Sequence, residues 1–427
     1  MMSQNDLAWE SLFKEYEILS RINAAGEYII SASQIKKYRE PRLMAKFDHS
    51  INLPRIFAEN NLTILPISRG DYVISHFSAY QPFDVLDGSV AKASLPKNLQ
   101  SLDPNNISSE TIAINCALAS GILSDFLNED LLFPTVAGRM GSGQFDFTIY
   151  NTRTKGVSNV HVNNSQIEID AALEGVHSLS LLEAKRDLSD DFLVRQLYYP
   201  YRVWHSRVTK KVRPIFLVYS NGVFSLYEYA FQDPSSYDSL VLVKQKNYSI
   251  EDTMIELSDL QNVASHTQIV REPSISFPQA NRFERVINLC ELLSSQPLSR
   301  EQVTEKYAFD IRQTNYYTDA ARYLGVVEKH YEEGRKPIYA LSEWGNRIMC
   351  LPFKKRQLAF CKAILQHRPF KLTFERCMEK GAVPETEEIV KIMQESDLYK
   401  VESTNTYARR ASTISGWINW MLGIVEC

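Results

Sequence analysis

Two carboxylates and a lysine lie close together near the middle of the chain, in a pattern that could bind a metal ion. Asp170 ends the segment IEID, and twelve residues separate it from Glu183, which is followed by Lys185 in LSLLEAK. Alternate side chains of a strand point to the same face, so Glu183 and Lys185 should share a face. A hairpin between the two segments would bring Asp170 beside them.

These residue types suit hydrolysis of a phosphodiester. Neighbouring carboxylates repel each other unless a cation lies between them, and Mg²⁺ accepts one or two carboxylates together with water and phosphate oxygens. Such an ion activates water and stabilises developing charge. The lysine can orient the water or neutralise phosphate as an ammonium, or deprotonate the water as a neutral amine. We therefore predict Asp170 and Glu183 as Mg²⁺ ligands and Lys185 as their catalytic partner, with Mn²⁺ substituting for Mg²⁺.

Other polar residues nearby could compete for these roles. Asp146 in GQFDFTIYN is a rival first acid on an earlier strand. Glu168 alternates with Asp170, so it should face the same side and could support the ligands. His177 has no partner His or Cys at metal-ligand spacing, and we interpret it as structural.

The surrounding pattern predicts strands and helices that could position this set. A helix is expected in ETIAINCALASGILSDFLNED, capped by Ser109, followed by strands in GQFDFTIYN, NSQIEIDAALEG and VHSLSLLEAK. A helix in DDFLVRQLYYPYRVWHSR, disturbed by Pro200, should follow. The aromatic residues of this helix, Tyr198, Tyr199, Tyr201 and Trp204, are predicted to be core, with stacking on DNA bases as the alternative. Two more strands are joined by Asn221-Gly222, a strong hairpin signal.

Residues 1–95 are predicted to form a separate α/β module. Helical patterns precede a strand pair in LTILPIS and DYVISHF. Four basic residues flank a predicted helix and could contact phosphate, although exposed charge on a helix is the commoner explanation. These residues are Arg39, Arg42, Lys46 and Arg55.

The part after residue 281 is predicted to be helical and contains an internal repeat. Residues 309–328 (FDIRQTNYYTDAARYLGVVE) align without gaps to residues 407–426 (YARRASTISGWINWMLGIVE), with five identities. The first copy is preceded by two helical segments and followed by a hairpin-like segment, which is the layout of a winged helix. We predict winged helices at 281–350 and 351–427.

Each repeat begins with polar residues where a recognition helix would meet DNA bases. Arg and Gln or Asn can read guanine and adenine by paired hydrogen bonds. The candidates are Arg312, Gln313, Thr314 and Asn315 in the first copy, and Arg409 and Arg410 in the second. Packing or dimerisation is the alternative, and Trp417 and Trp420 favour packing for much of the second copy.

The combined pattern resembles the catalytic core of type II restriction endonucleases of the PD-(D/E)XK superfamily. The resemblance rests on IEID…LLEAK, FLVRQLYYPYRVW and PIFLVYSNGVFSLYEYAF, and covers roughly residues 110–250. It implies an α/β nuclease domain at 96–265, with a central mixed sheet flanked by helices. It also supports metal binding by Asp170 and Glu183, with Lys185 assisting the attacking water. The proline that gives the motif its name is absent before Asp170.

The resemblance adds a residue and a substrate. Related nucleases often carry a glutamine on the helix after the E-x-K strand, which implies a catalytic role for Gln196. The implied activity is site-specific cleavage of double-stranded DNA. A double-strand break needs two such centres, so a homodimer is expected. Two alternatives stay open: a repair or modification-dependent nuclease, and a non-catalytic winged-helix DNA-binding regulator.

Composition narrows the class of protein further. Of 427 residues, 44% are hydrophobic and 23% charged, which excludes a mainly disordered chain or a coiled-coil rod. The net charge of −4 is uneven, with about +3 on residues 281–427, which permits a nucleic-acid partner. No phosphate-binding loop, methyltransferase signature, signal peptide or membrane span is apparent. Scattered free cysteines predict a cytoplasmic protein, and protective methylation would require a separate cognate DNA methyltransferase.

Overall fold

The chain divides into two compact units. The computed structural model describes residues 3–83, 89–104, 107–250, 254–306, 311–331, 336–399 and 401–425. Unit 1 comprises Met1–Ala91, Ser109–Tyr219 and Phe224–Tyr248, and unit 2 comprises Lys92–Ser108, Ser220–Val223 and Ser249–Cys427. Most of the stretches predicted as separate domains, 1–95 and 96–265, therefore lie together in unit 1.

The first part of unit 1 is a small layer of helices on a three-stranded antiparallel sheet. Its first helix begins after Ser3, whose hydroxyl accepts from the amide of Asp6 while the Asp6 carboxylate accepts from the amide of Ser3. The sheet order is β1–β3–β2, which includes the predicted pair of strands. The elements are α1 (Gln4–Glu15), α2 (Ile18–Ala25), β1 (Glu27–Ser31), α3 (Ala32–Lys36), α4 (Pro41–Ala45), α5 (Arg55–Glu59), β2 (Thr63–Pro66), β3 (Asp71–Ser75) and β4 (Tyr80–Pro82).

A seven-stranded mixed sheet forms the rest of unit 1. Ser109 caps the helix before the sheet, as predicted, because its hydroxyl accepts from the amide of Ile112. The elements are β5 (Val90–Lys92), α6 (Glu110–Ala119), α7 (Ile122–Leu127), β6 (Phe133–Gly141), β7 (Gln144–Asn151), β8 (Gly156–Asn163), β9 (Gln166–Glu174), β10 (Ser178–Lys185), β11 (Asp191–Leu193), α8 (Arg195–His205), β12 (Lys211–Ser220), β13 (Val223–Phe231) and β14 (Leu240–Ser249).

The strand order explains the mixed character of this sheet, which runs β5–β14–β13–β12–β10–β9–β6. β10 pairs in parallel with β12 and antiparallel with β9. β10 and β12 are buried along almost their whole length, as expected for central strands covered on both faces. The predicted α/β architecture with a central mixed sheet and flanking helices is therefore confirmed.

From residue 254 onward, the described residues of unit 2 form helices and one small sheet. Its elements are α9 (Leu257–His266), α10 (Phe283–Leu293), β15 (Leu298–Ser299), α11 (Arg300–Lys306), α12 (Ile311–Tyr323), β16 (Val327–Tyr331), β17 (Pro337–Leu341), α13 (Glu343–Met349), α14 (Phe353–Leu365), α15 (Arg368–Lys380), α16 (Thr386–Gln394) and α17 (Thr404–Gly423). From α10 to β17 the order is helix, strand, two helices and two strands, with sheet order β15–β17–β16. This is the order of a winged helix.

The prediction of a second winged helix is wrong. Between 351 and 425 the described residues form helices only. The two repeats diverge at their matched glycines: Gly325 has a φ of 72° and lets the chain leave α12 for β16, whereas Gly423 is still helical. The alignment therefore reflects the shared pattern of two buried helices. No helix in the described parts of the chain is long and apolar enough to cross a membrane.

Candidate active site

The β9–β10 hairpin brings the predicted acids together. In its antiparallel register Leu182 lies opposite Ala171, so the residues that come next, Glu183 and Asp170, are neighbours across the two strands. Asp170 Oδ2 accepts a hydrogen bond of 2.8 Å from the backbone amide of Ala184. The expected juxtaposition of Asp170 with the E-x-K segment is therefore confirmed as geometry.

One oxygen of Glu183 accepts two hydrogen bonds. Lys185 Nζ lies 2.6 Å from Glu183 Oε1, and Gln196 Nε2 lies 2.8 Å from the same oxygen. The side chains of Glu183 and Lys185 are each only 11% exposed. Gln196 reaches them from the first turn of α8, so the helix after the E-x-K strand contributes to the same cluster, as the resemblance implied.

Burial determines the electrostatics of the two acids. It raises the pKa of Glu183 to about 7, against the lowering effect of Lys185 and with an added rise from Asp170. Burial also raises the pKa of Asp170. Each carboxylate is therefore disfavoured as an anion where it lies, and a cation bound between them would relieve this.

Lys185 has the opposite balance. Burial alone would lower its pKa, but the carboxylates of Glu183, Asp48 and Glu110 raise that pKa well above its ordinary value. The ammonium group is therefore charged at neutral pH. It can neutralise phosphate or orient water, but in this state it has no free electron pair with which to accept a proton.

Sequence reasoning missed two acids that act on Lys185. Glu110 is the first residue of α6, and burial, together with the charge of Glu183, raises its pKa despite Lys185. Asp48 lies after α4; burial opposes its ionisation, but Lys185, Lys46 and Arg195 hold its pKa below the ordinary value. The capping signal at Ser109 located the start of α6, but nothing in the sequence indicated that Glu110 would face the hairpin.

The cluster lines a cavity of about 860 Å³ within unit 1. Asp170, Glu183, Lys185, Gln196 and Glu110 all contribute to its wall. Basic side chains from several elements surround these residues: Lys36, Arg42, Lys46, Arg69, Arg139 and Arg195. Two of the six had been predicted as phosphate contacts. A carboxylate centre ringed by cations suits a polyanionic substrate that carries its reacting group to a metal ion.

The protein ligand set for a metal is small. Among the described residues, no group of three or more His, Cys, Asp or Glu side chains is arranged to hold a metal ion. Asp170 and Glu183 offer two carboxylates, which is compatible with Mg²⁺ or Mn²⁺ completed by water and phosphate, but not with a structural zinc site. Gln196 Oε1 is buried without a hydrogen-bond partner, so it can accept a hydrogen bond from a water at the site.

The rival acid is not brought to the cluster. Asp146 lies on β7, which pairs with β8 in a separate two-stranded sheet. Its carboxylate lies 2.6 Å from His161 Nδ1, and both side chains are largely exposed. Glu168 does line the cavity and pairs with Arg139 at 3.1 Å. His177 is exposed in the β9–β10 turn.

The aromatic residues of α8 belong to the core, as predicted. Tyr198 and Tyr199 are fully buried, Tyr201 is 6% exposed and Trp204 packs against the same cluster. The hydroxyl of Tyr198 donates to the carbonyl of Pro234, and that of Tyr199 donates to the carbonyl of Pro66. Their buried rings and bonded hydroxyls leave no free face for stacking on DNA bases.

The predicted basic run in the first part of unit 1 divides between two surroundings. Arg42 and Lys46 line the cavity. Arg39 donates to the side chain of Asn5, and Arg55 is an exposed residue paired with Glu59 at 2.6 Å. Neither Arg39 nor Arg55 lines the cavity.

The recognition-helix candidates in unit 2 also differ from one another. On α12, Arg312 is exposed and Gln313 and Asn315 are partly exposed, but Thr314 is buried, with its hydroxyl 2.8 Å from that of Thr304. The prediction that Thr314 contacts bases therefore does not fit. On α17, Arg409 is exposed.

The side chain of Arg410 makes a hydrogen bond within the protein. Its guanidinium donates to the backbone carbonyl of Phe277, and its Nε is buried. Burial lowers the pKa of Arg410. The side chain therefore secures α17 against the segment before α10, and this contact conflicts with its predicted role in binding DNA.

Three family models match successive parts of the chain, and each is described as a domain of unknown function. They cover residues 6–74 (DUF6996), 75–249 (DUF6997) and 285–426 (DUF7226). No curated protein and no solved structure matches the chain significantly. The second model contains Asp170, Glu183, Lys185 and Gln196, whereas Asp48 belongs to the first. None of the three matching families is described by an activity.

Proposed function

We propose that this chain is a cytoplasmic, Mg²⁺-dependent endonuclease that hydrolyses phosphodiester bonds in double-stranded DNA at specific sites, as type II restriction endonucleases do. One observation carries the proposal: Asp170, Glu183, Lys185 and Gln196 converge on one wall of a cavity that six basic side chains also line. A D…E-x-K match that occurs by chance in the sequence would not be expected to bring these side chains together in a cavity lined by cations.

The chemistry follows from the state of each side chain. Asp170 and Glu183 would hold the metal ion, which when bound supplies a Lewis acid that activates water and stabilises charge on the phosphate. Gln196 Oε1 can accept a hydrogen bond from the attacking water and so orient it. Lys185, charged at neutral pH, stabilises negative charge that develops on the phosphate oxygens. The cavity cations hold the flanking phosphates in place.

Specificity would come from side chains that reach base edges. On α12, Arg312, Gln313 and Asn315 keep exposed surface and carry groups that pair with guanine or adenine. Cutting of both strands would require a homodimer with two centres, and a palindromic or near-palindromic site would follow from its symmetry. A separate methyltransferase would protect the host DNA.

The decisive experiment is incubation of the purified protein with unmethylated phage DNA and Mg²⁺. Discrete fragments support the proposal, a smear indicates a nonspecific nuclease, and a gel shift without cutting indicates a DNA-binding regulator. Cutting only of methylated DNA would indicate a modification-dependent nuclease.

Two variants assign the activity to the site. Asp170→Ala should abolish cleavage while binding persists in Ca²⁺, which supports binding but activates water poorly. Asp146→Ala is the matched control, because this acid lies on β7 in a separate sheet and outside the cavity, and it should cleave normally. Normal cleavage by Asp170→Ala, or full activity in excess chelator, would overturn the assignment.

A further inference from the structure

A short segment of the first part of unit 1 is fastened to the loop that follows the E-x-K strand. The backbone carbonyl of Asp48 accepts from the amide of Leu193 at 2.8 Å. His49 contacts the carbonyl of Asp191 through Nδ1 at 2.6 Å and the carboxylate of Asp187 through Nε2 at 3.0 Å. The amide of Ser50 donates to the Asp191 carboxylate at 3.0 Å. Residues 48–50 are thus fixed to the chain that leaves Lys185.

The side chain of Asp48 is a largely buried carboxylate among cations. It is 20% exposed, and its Oδ2 lies 3.6 Å from the ammonium of Lys46, which is itself half exposed. The other oxygen, Oδ1, is buried without a hydrogen-bond partner. Other charges that act on it are those of Lys185, Arg195 and His49, and the first two belong to residues in the cavity wall. An exposed lysine alone is a weak partner for a buried carboxylate.

The position of Lys185 explains what this carboxylate could do. In the structure, Glu183 Oε1 is the hydrogen-bond partner of the Lys185 ammonium. A metal ion bound to Glu183 would repel that ammonium, since both carry positive charge. Lys185 then needs another anion to keep it in the cavity. Asp48 and Glu110, which are not proposed metal ligands, both attract it, and Asp48 has the stronger effect. Asp48 also has a buried carboxylate oxygen without a hydrogen-bond partner.

We propose that Asp48 is a positioning residue whose buried carboxylate holds the ammonium of Lys185 at the cavity when Glu183 binds a metal ion. This inference rests on the proposed function. It makes the first part of unit 1 a component of the catalytic centre in addition to any role in contacting DNA. Asp48 acts through Lys185 and does not touch the substrate.

A double-mutant cycle tests the link between the two residues. Asp48→Asn should lower kcat by roughly ten- to a hundredfold, the range found when groups that orient a metal-site residue are removed. KM and Ca²⁺-supported DNA binding should change less than about twofold, since the phosphate contacts remain. In a Lys185→Ala background, Asp48→Asn should cause no further loss of kcat, because the group it positions is already gone.

Two more variants separate positioning from packing. Asp48→Glu keeps the charge in a larger side chain, so it should recover part of the rate that Asp48→Asn loses, whereas a packing role predicts no recovery. Asp6→Asn is the matched control: Asp6 caps α1 and accepts from the amide of Arg55, so its loss should lower Tm and leave kcat unchanged.

A measurement without metal gives an independent readout. In chelator, the fall in Tm caused by Asp48→Asn should be smaller in the Lys185→Ala background than in the native protein, because the two charges attract each other. Equal losses of kcat and of Tm in both backgrounds would overturn the proposal, as would normal kcat in Asp48→Asn. Normal cleavage by Asp170→Ala would instead refute the proposed function, whatever Asp48 does.

Discussion

Replacing Glu183 by glutamine should abolish cleavage and at the same time stabilise the metal-free protein at alkaline pH. Burial and Asp170 disfavour the Glu183 anion more than Lys185 favours it, and the pKa rises from 4.5 to about 7. At about 1.4 kcal/mol per pKa unit, ionisation of Glu183 therefore opposes folding by roughly 3 kcal/mol. A neutral glutamine avoids this penalty, and its amide oxygen can still accept from Lys185 and Gln196.

The sign of the pH dependence follows from proton binding. Between pH 4.5 and about 7 the unfolded chain has lost the Glu183 proton and the folded protein has kept it, so the free energy of unfolding falls as pH rises. Above about pH 7 the loss is complete. The glutamine variant lacks this component, so its advantage should be small at pH 5 and largest at pH 8.

Thermal unfolding in chelator at pH 5 and pH 8 measures the effect. A gain of about 3 kcal/mol corresponds to a rise in Tm of roughly 6–12 °C for a unit of this size. Glu59→Gln, at an exposed acid paired with Arg55, is the control and should change stability by less than about 1 kcal/mol. The reasoning would be refuted if the Glu183→Gln protein were less stable than the native protein at pH 8. It would also be refuted if the variant changed Tm by the same amount at pH 5 and pH 8.

Three other predictions concern polar contacts of residues other than Glu183. Arg312→Ala should weaken DNA binding and reduce its salt slope by about 1, whereas Arg410→Ala should lower Tm and leave the salt slope unchanged; a reversed pattern would show that the two arginines were assigned wrongly. Burial alone would lower the pKa of His49, but the carboxylate of Asp187 raises it. The contribution of this pair to the free energy of unfolding is therefore full below about pH 6.5 and is lost as pH rises through the raised pKa. His49→Gln should flatten that part of the stability profile, and an unchanged profile would contradict the prediction. Glu228→Ala should cost about 3–5 kcal/mol in urea unfolding, because it leaves the buried guanidinium of Arg213 without its two-point partner at 2.7 and 2.9 Å; a loss below about 1 kcal/mol would show that the pair adds little.

The β9–β10 hairpin could be predicted because it depends only on residues that are close together in the sequence. Asp170 and Glu183 lie on consecutive strands joined by a short turn, so strand alternation and hairpin pairing suffice to bring them together. The same holds for the helix after the hairpin, which delivers Gln196 one element later.

The rest of the site could not be read from the sequence because it comes from distant elements. Glu110 and Arg69 line the cavity, and Asp48 acts on Lys185. These residues come from three parts of the chain, and their positions depend on how helices and the small sheet pack on the seven-stranded sheet. A single acid or arginine in a polar segment gives no indication in the sequence that it will lie near the site. A resemblance that covers only residues 110–250 cannot place Asp48 either.

The error in unit 2 has a different cause. A gapless match of twenty residues detects helical periodicity, and both α12 and α17 satisfy it. It does not detect backbone conformation at a matched glycine, which decides whether a strand or a helix end follows. Thr314 was misassigned for a related reason, since a polar residue at the start of a helix can face inward when a neighbouring hydroxyl satisfies it.

The attachment of residues 48–50 to the loop after β10 limits how this protein could be re-engineered. Where DNA preference resides in an interchangeable module, a new module can be grafted onto an unchanged catalytic body. Here the first part of unit 1 supplies cavity cations and is hydrogen-bonded to the chain that leaves Lys185, so a graft would also replace structural supports of the proposed active centre. Variant libraries should therefore keep residues 46–50 constant and diversify the exposed start of α12, where substitutions leave those supports intact.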